Sequence, residues 1–185
     1  MTVFDLQGIN IYLIGMMGSG KSTTGTLLAQ RLEYKFIDTD VSIEKVAHQT
    51  IPEIFETAGE TDFREIETQV LAEVSAYTRL VVATGGGISI KLENWNHLQQ
   101  GLVIWLDVSI DVIVGRLKED TKNIRPIILN TPPEELHSKL DTILSERRDR
   151  YAAADLRMPI ESDLSPSEIV ERILSAIPSV LKVKV

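Results

Sequence analysis

Residues 15–22, Gly-Met-Met-Gly-Ser-Gly-Lys-Ser, constrain the possible folds more than any other part of the chain. Four residues separate the outer glycines, and a lysine and a serine follow at once. The apolar run Ile11 to Ile14 precedes this segment, and a helix-forming run follows it. A strand, a glycine-rich turn and a helix in this order are typical of a loop whose backbone N–H groups surround phosphates. The segment therefore predicts a phosphate-binding loop at the carboxyl end of a sheet strand.

Short apolar runs alternate with longer helix-like runs along the rest of the chain. The short runs predict buried strands at residues 10–15, 35–38, 80–85, 102–107 and 154–160. The longer runs predict helices at residues 21–33, 40–49, 51–59, 60–77, 92–100, 109–120, 132–154 and 165–177. Alternating strands and helices imply a parallel sheet that is covered on both faces. We therefore predict an α/β fold and a single domain over residues 1–185.

The composition excludes several classes of function. A net charge of −8 argues against nucleic acid and membrane surfaces as partners, since both favour basic patches. The absence of cysteine excludes disulfides, thiol catalysis and cysteine-based zinc sites, and it suits a reducing compartment. The sequence has neither a membrane-spanning apolar run nor the basic start of a signal peptide. We expect a cytoplasmic protein, or one of the plastid stroma if a transit peptide has been removed.

The phosphate-binding loop predicts a nucleoside triphosphate site with Mg²⁺. The residues expected to contact the nucleotide are Gly18, Ser19, Gly20, Lys21, Ser22 and Thr23. The start of the following helix adds a partial positive charge at the phosphates. Lys21 is expected to reach the β- and γ-phosphates, and the Ser22 hydroxyl is expected to ligate Mg²⁺.

Asp38 and Asp40 come at the end of the second predicted strand. Alternation along a strand projects both side chains to the same side, near the γ-phosphate. A phosphoryl transferase uses one carboxylate near Mg²⁺ and another beside the nucleophile, and this strand end offers both. The alternative is a pair of solvated residues, of which Asp40 caps the next helix.

Three consecutive glycines follow the third strand, in the run Thr84 to Gly87. Such a run costs backbone entropy, and it indicates a place where backbone N–H groups approach a ligand closely. The arginines are the natural counterpart of an acidic ligand, because a planar guanidinium binds a carboxylate through two hydrogen bonds. Taken singly, an arginine is more often part of a surface ion pair, so the argument depends on the arginines as a group. On the helix predicted at residues 132–154, Arg147 shares a face with Arg150 or Tyr151.

Together these motifs resemble those of the shikimate kinase family. The resemblance is carried by GMMGSGKST at 15–23, FIDTDVSIE at 36–44, IPEIFETAGETDFREIE at 51–67, TGGG at 84–87, RP at 125–126 and RRDRY at 147–151. Order and spacing match over residues 9 to about 175. The family implies a P-loop NTPase-type, nucleoside monophosphate kinase-like fold, a three-layer αβα sandwich with a five-stranded parallel sheet. Its enzymes transfer the γ-phosphate of ATP to the 3-hydroxyl of shikimate.

The resemblance also implies roles for the acceptor residues. Asp40 binds ring hydroxyls of shikimate and is the candidate base. Arg64 and Arg147 bind the shikimate carboxylate from two sides. The backbone of Gly86 and Gly87 contacts the ring hydroxyls. A helical region at about residues 40–77 holds the acceptor.

On the nucleotide side, the resemblance implies a catalytic set of Lys21, Asp40 and Arg125. Arg125 reaches the phosphates from a mobile lid at about residues 117–129. Arg116 lies against the adenine, and Asp38 hydrogen-bonds the waters of the metal. The cofactors implied are ATP and Mg²⁺, and the partner is a small molecule bound by a monomer.

Two features depart from the family pattern. His48 stands where the family commonly has glycine, and a positive φ at this position would strain it by about 1 kcal/mol. The lid is acidic and carries Ile127 and Ile128 where the family usually has two leucines. Two alternatives stay open, another small-molecule kinase on the same fold and a catalytically silent relative.

Overall fold

The computed structural model describes residues 6–120, 125–162 and 164–181. Its five strands are β1 (Ile11–Ile14), β2 (Lys35–Asp38), β3 (Leu80–Ala83), β4 (Leu102–Val108) and β5 (Leu156–Ile160). The eight α-helices of the described residues are α1 (Lys21–Leu32), α2 (Thr39–Ala47), α3 (Ile51–Thr57), α4 (Gly59–Ser75), α5 (Leu92–Leu98), α6 (Ile110–Glu119), α7 (Leu136–Tyr151) and α8 (Pro166–Leu181). A short 3₁₀ helix occupies Pro126–Ile128. Part of the predicted lid, residues 121–124, lies outside the described residues.

All five strands pair in parallel, in the order β2-β3-β1-β4-β5. The strand that leads into the phosphate-binding loop, β1, is therefore central. Every residue of β1 and of β3 is buried, so helices cover both faces of the sheet. The predicted three-layer α/β sandwich with a five-stranded parallel sheet is confirmed. None of the helices within the described ranges is long and apolar enough to cross a membrane.

Several predicted boundaries were wrong by a few residues. Helix α7 begins at Leu136 and not at residue 132, because Pro133 disfavours helical backbone at Pro132 and the segment forms a turn in which the Glu135 N–H donates to the Pro132 carbonyl at 2.9 Å. Helix α8 was expected to stop at residue 177, but it continues through Pro178 to Leu181. The residues that anchor α8 are the buried side chains Ile169, Val170, Ile173 and Ile177. Their packing outweighs the one backbone hydrogen bond that a proline removes.

Helix α2 starts and ends at residues that the sequence had singled out. Its N-cap is Asp38 and not Asp40, because the Asp38 carboxylate accepts the N–H groups of Asp40 and Val41 at 3.0 and 3.5 Å. His48 is the C-cap and has φ 53°, in the left-handed region. The glycine usual at this position has a structural reason, since left-handed backbone favours glycine. His48 lies after the helix that carries Asp40 and does not line the cleft described next.

Candidate active site

A cleft of about 760 Å³ opens at the carboxyl ends of the central strands. The structure brings all but one of the predicted site residues to it. Those that line the cleft are Gly18, Gly20, Lys21, Ser22, Thr23, Asp38, Asp40, Arg64, Gly86, Gly87, Arg116, Arg125 and Arg147. The exception is Ser19, whose side chain is fully buried beneath the loop. Residues that are far apart in the chain therefore form one site, as expected at this edge of a parallel sheet.

The phosphate-binding loop needs its glycines for their backbone conformation. Gly15, Gly18 and Gly20 have φ values of 139°, 72° and 88°. Side chains other than hydrogen rarely tolerate these values. Gly20 is the N-cap of α1, so the loop leads directly to the positive end of that helix.

The ammonium group of Lys21 lies under the loop. Its Nζ donates to the carbonyl oxygens of Gly15 and Met16 at 3.0 and 2.8 Å, and to Ser19 Oγ at 3.4 Å. Burial lowers the pKa of Lys21 to about 8, against the attraction of Asp40 and Asp38, which raises it. Lys21 therefore keeps its positive charge at neutral pH.

Ser22 and Asp38 are directly bonded. The Ser22 hydroxyl donates to Asp38 Oδ2 at 2.5 Å. Within the described ranges, no group of three or more histidine, aspartate or glutamate side chains could hold a metal. The donor set fits Mg²⁺ that is ligated by one hydroxyl and by the phosphates of a nucleotide, with Asp38 nearby.

Asp40 lies beside Asp38, although strand alternation is the wrong reason for it. Strand β2 ends at Asp38, and Asp40 stands in the first turn of α2. Its Oδ1 atom is buried and has no hydrogen-bond partner among the described residues. Burial raises the pKa of Asp40 to about 6, helped by the negative charges of Asp38 and Glu67 and opposed by the attraction of Lys21 and Arg64. A raised pKa in a buried carboxylate is the property expected of a general base.

Arg64 is buried in the cleft wall between two carboxylates of its own helix. Its Nη1 donates to Glu67 Oε2 at 2.9 Å, and its Nη2 to Glu60 Oε1 at 3.1 Å. Glu67 is fully buried, and burial raises its pKa although Arg64 lowers it. We assigned no role to Glu67 from the sequence. Its spacing of three residues from Arg64 on a helix was the available signal.

Helix α7 presents Arg147 and Tyr151 to the triple-glycine turn. Arg147 Nη1 and the Tyr151 hydroxyl both donate to the Gly86 carbonyl oxygen, at 2.8 and 2.5 Å. Of the two neighbours that the sequence offered for Arg147, Tyr151 shares its buried face, whereas Arg150 is exposed. The expected grouping on one helix face is therefore correct for the tyrosine only.

None of the three glycines of the turn has a positive φ, so Gly85 and Gly87 are required for space and not for a left-handed backbone. A Cβ on Gly85 would lie 2.7 Å from both Asp40 Oδ1 and Glu67 Oε1. A Cβ on Gly87 would overlap the guanidinium of Arg64. Gly85 and Gly87 have no side chain because three charged side chains occupy that volume, whereas a Cβ on Gly86 would lie 3.3 Å from the backbone nitrogen of Met17.

Arg116 and Arg125 approach the phosphate-binding loop from α6 and the 3₁₀ helix. Arg116 Nη1 donates to the carbonyl oxygens of Gly18 and Ser19 at 3.4 and 3.3 Å. Arg125 forms an ion pair with Asp120, with Nη2 and Oδ2 2.7 Å apart. The guanidinium of Arg116 therefore contacts the loop backbone, and that of Arg125 lines the cleft together with its partner Asp120.

Comparison with known proteins identifies the family. The family model for shikimate kinase matches residues 17–178. A shikimate kinase of Rippkaea orientalis is 56% identical over 180 residues, which are 97% of this chain and 94% of that protein. One of Microcystis aeruginosa is 53% identical over 178 residues, which are 96% of this chain and 91% of that protein. The chain belongs to the shikimate kinase family.

Solved structures agree with the family assignment. A shikimate kinase from Acinetobacter baumannii, in complex with shikimate, has a TM-score of 0.85 and 36% identity over 94% of this chain and 95% of its own. A gluconokinase from Sinorhizobium meliloti has a TM-score of 0.56 at 18% identity over 94% and 93%, so it shares the fold alone. Shikimate kinases are ATP-dependent enzymes that phosphorylate a hydroxyl group. This member of the family is therefore an ATP-dependent kinase, as the resemblance implies.

Proposed function

We propose that the chain transfers the γ-phosphate of ATP to the 3-hydroxyl of shikimate, giving shikimate 3-phosphate and ADP. One observation carries the proposal. Beyond the phosphate-binding loop, the same cleft holds two buried guanidinium groups, Arg64 and Arg147, and the carboxylate of Asp40. Two arginines suit a single carboxylate, and the aspartate suits a hydroxyl group.

On the nucleotide side, Ser22 and Asp38 would hold Mg²⁺, directly and through its waters respectively. When bound, Mg²⁺ neutralises charge on the β- and γ-phosphates. Lys21 and Arg125 add positive charge where the transferred group becomes more negative. Arg116 supports the loop and lies towards the adenine.

On the acceptor side, Arg64 and Arg147 bind the shikimate carboxylate and so orient the ring. The backbone of Gly86 and Gly87 contacts the ring hydroxyls. Asp40 accepts the hydrogen bond of the 3-hydroxyl and removes its proton as the phosphorus–oxygen bond forms. Its raised pKa supports this role, because a carboxylate of pKa about 6 is ionised at neutral pH and more basic than an ordinary aspartate.

Closure of the site is the remaining part of the mechanism. We propose that a lid at about residues 117–129 closes over both ligands, with the helical region at about 40–77 around the acceptor. Closure keeps water from taking the phosphate and strengthens the electrostatic contacts inside the cleft. The charged pair Asp120 and Arg125 belongs to this lid.

The test is ADP release with Mg²⁺ and ATP, measured without acceptor and with shikimate, gluconate or a nucleoside monophosphate. Among these acceptors, we expect only shikimate to raise ADP release above background. The product is expected to have the mass of shikimate 3-phosphate. The variant Lys21→Met supplies the background of the assay. If gluconate or the nucleoside monophosphate is phosphorylated and shikimate is not, the acceptor in the proposed function is wrong and is the molecule that reacts. ATP binding without turnover of any acceptor would identify a silent relative.

We further propose that the enzyme is a monomer in the cytoplasm. Its net charge of −8 supports the monomer, because mutual repulsion opposes self-association. Sedimentation equilibrium is expected to give a single species of 20.6 kDa. A species of twice that mass would contradict the proposal.

A further inference from the structure

The carbonyl oxygen of Gly86 accepts two hydrogen bonds from one helix. Arg147 donates through Nη1 at 2.8 Å and Tyr151 through its hydroxyl at 2.5 Å. A carbonyl oxygen has two lone pairs, so these donors use its full capacity. Arg147 lies in the cleft wall, whereas Tyr151 lies behind the turn and does not line the cleft.

The position of the Tyr151 hydroxyl is set by the hydrophobic core. The side chain is fully buried, and its ring packs against Trp105 of β4 with centroids 5.7 Å apart. Burial raises the pKa of Tyr151, so the phenol stays protonated and can only donate to the carbonyl. The hydrogen bond therefore connects the turn to a rigid part of the molecule.

The other hydrogen bonds of the turn are made by residues on either side of this peptide. The residues before the peptide are anchored, since Thr84 Oγ1 donates to the Leu13 carbonyl and the Gly85 N–H to Thr39 Oγ1, both at 3.0 Å. The Ile88 N–H donates to the Gly85 carbonyl at 3.1 Å and closes the turn around the peptide without bonding to the Gly86 carbonyl. The peptide between Gly86 and Gly87 has no side chain on either side, and glycine has the greatest backbone freedom. Fixing its carbonyl also fixes the following N–H, which points the opposite way in a trans peptide. The Gly87 N–H is thereby directed away from α7.

We propose that Tyr151 is a positioning residue for the acceptor: its hydroxyl fixes the Gly86–Gly87 peptide and holds the shared carbonyl against which Arg147 is oriented. This inference rests on the proposed function, because Arg147 and the two glycines are the acceptor contacts there. Tyr151 itself does not touch the acceptor. It acts on binding of the acceptor, whereas the residues proposed to contact the nucleotide are others, although Gly86 packs beside the phosphate-binding loop.

The test is Tyr151→Phe, which removes one oxygen and keeps the ring against Trp105. We expect KM for shikimate to rise about 5- to 10-fold, the factor for loss of one hydrogen bond, while kcat and KM for ATP stay within about 2-fold. Replacement of Tyr151 by 4-aminophenylalanine keeps a donor at the same place and is expected to restore KM. If the phenylalanine variant does not fold, 4-fluorophenylalanine at position 151, which is close in shape to tyrosine but cannot donate, takes its place with the same expected rise in KM.

Tyr12→Phe is the matched control. Tyr12 is also fully buried, lies on β1 outside the cleft, and accepts a hydrogen bond from Asn10 Nδ2 at 3.4 Å. The variant Tyr12→Phe makes the same chemical change in the core. We expect it to leave KM for shikimate and KM for ATP unchanged. An unchanged shikimate KM in Tyr151→Phe, or an equal rise in both KM values, would overturn the proposal.

A measurement without substrate separates this inference from the proposed function. The Gly86 carbonyl ¹³C and Gly87 amide ¹⁵N resonances are expected to move in Tyr151→Phe and to stay in place in Tyr12→Phe. Unmoved resonances would overturn the positioning role. If wild-type protein fails to phosphorylate shikimate but the resonances move, the proposed function is wrong and the role of Tyr151 in holding the peptide stands.

Discussion

Arg64 and Glu67 form an ion pair in which both side chains are buried, with Nη1 and Oε2 2.9 Å apart. The three-residue spacing places them on the same face of α4. A buried pair gains little stability over an apolar one, whereas removal of one partner leaves an uncompensated charge. The pair is therefore best explained by function: Glu67 holds the guanidinium in the cleft wall.

We predict that Arg64→Ala weakens shikimate binding by about 2–3 kcal/mol, because a charged hydrogen bond is lost. Titration calorimetry with shikimate measures the change directly. The variant also leaves the Glu67 carboxylate without its partner, so Arg64→Lys is needed beside it. Lysine keeps the positive charge but lacks the planar guanidinium group. The shikimate affinity of Arg64→Lys is therefore expected to lie between those of the wild type and Arg64→Ala. Unchanged affinity in both variants would show that Arg64 does not bind the carboxylate.

Asp40→Asn is predicted to lower activity and raise stability together. Loss of the base is expected to reduce kcat by at least about 100-fold. The difference between the ordinary pKa of 3.8 and about 6 corresponds to about 3 kcal/mol, which the wild-type protein loses on ionising Asp40. Chemical denaturation at pH 7.5 is expected to show a gain of up to that size. Near-normal turnover in the folded variant would remove Asp40 from the role of base.

The stability gain of Asp40→Asn is predicted to depend on pH. The folded protein holds the Asp40 proton more tightly than the unfolded chain does, so this group stabilises the fold below about pH 4. That contribution is lost as the pH rises through about 6. Denaturation curves of wild type and variant are therefore expected to converge at acidic pH. A difference in stability that does not vary with pH would contradict the raised pKa.

The same ionisation predicts the pH profile of activity. For wild-type enzyme, kcat/KM for shikimate is expected to fall on the acidic side with an apparent pKa of about 6, because protonated Asp40 cannot accept a proton. The residual activity of Asp40→Asn is expected not to fall in this way at acidic pH. An acidic limb near the ordinary aspartate value would assign the base elsewhere.

Asp38→Asn separates the two roles of Asp38. Asparagine is as good an N-cap as aspartate, so α2 and the thermal stability are expected to persist. The lost charge is expected to raise the Mg²⁺ concentration needed for half-maximal activity about 10-fold, a typical effect of removing a partner near a metal. Mg²⁺ titration at fixed ATP measures it, and Asp38→Ala serves as the comparison in which the cap is lost as well. Equal Mg²⁺ dependence in Asp38→Asn and wild type would exclude the metal role.

The sequence predicts the sheet and the site because both depend on local patterns. Strand β1, the glycine spacing and the helix after it follow one another directly, and a parallel sheet then gathers the strand ends at one edge. Contacts across the fold were not predictable in this way. The bond from Tyr151 to Gly86 joins residues 65 positions apart, and no periodicity encodes it. Asp40 was placed correctly for the wrong reason, since strand alternation does not continue into the first turn of α2.

The bare turn at Gly85 and Gly87 has an evolutionary consequence. The side chains at positions 40 and 67 decide which residues fit at position 85. The side chain at position 64 decides which residues fit at position 87. An alanine at either glycine becomes acceptable only when the facing side chain shortens or moves. Substitutions at these positions are therefore expected to appear in family members as pairs, so that covariation would record the contact.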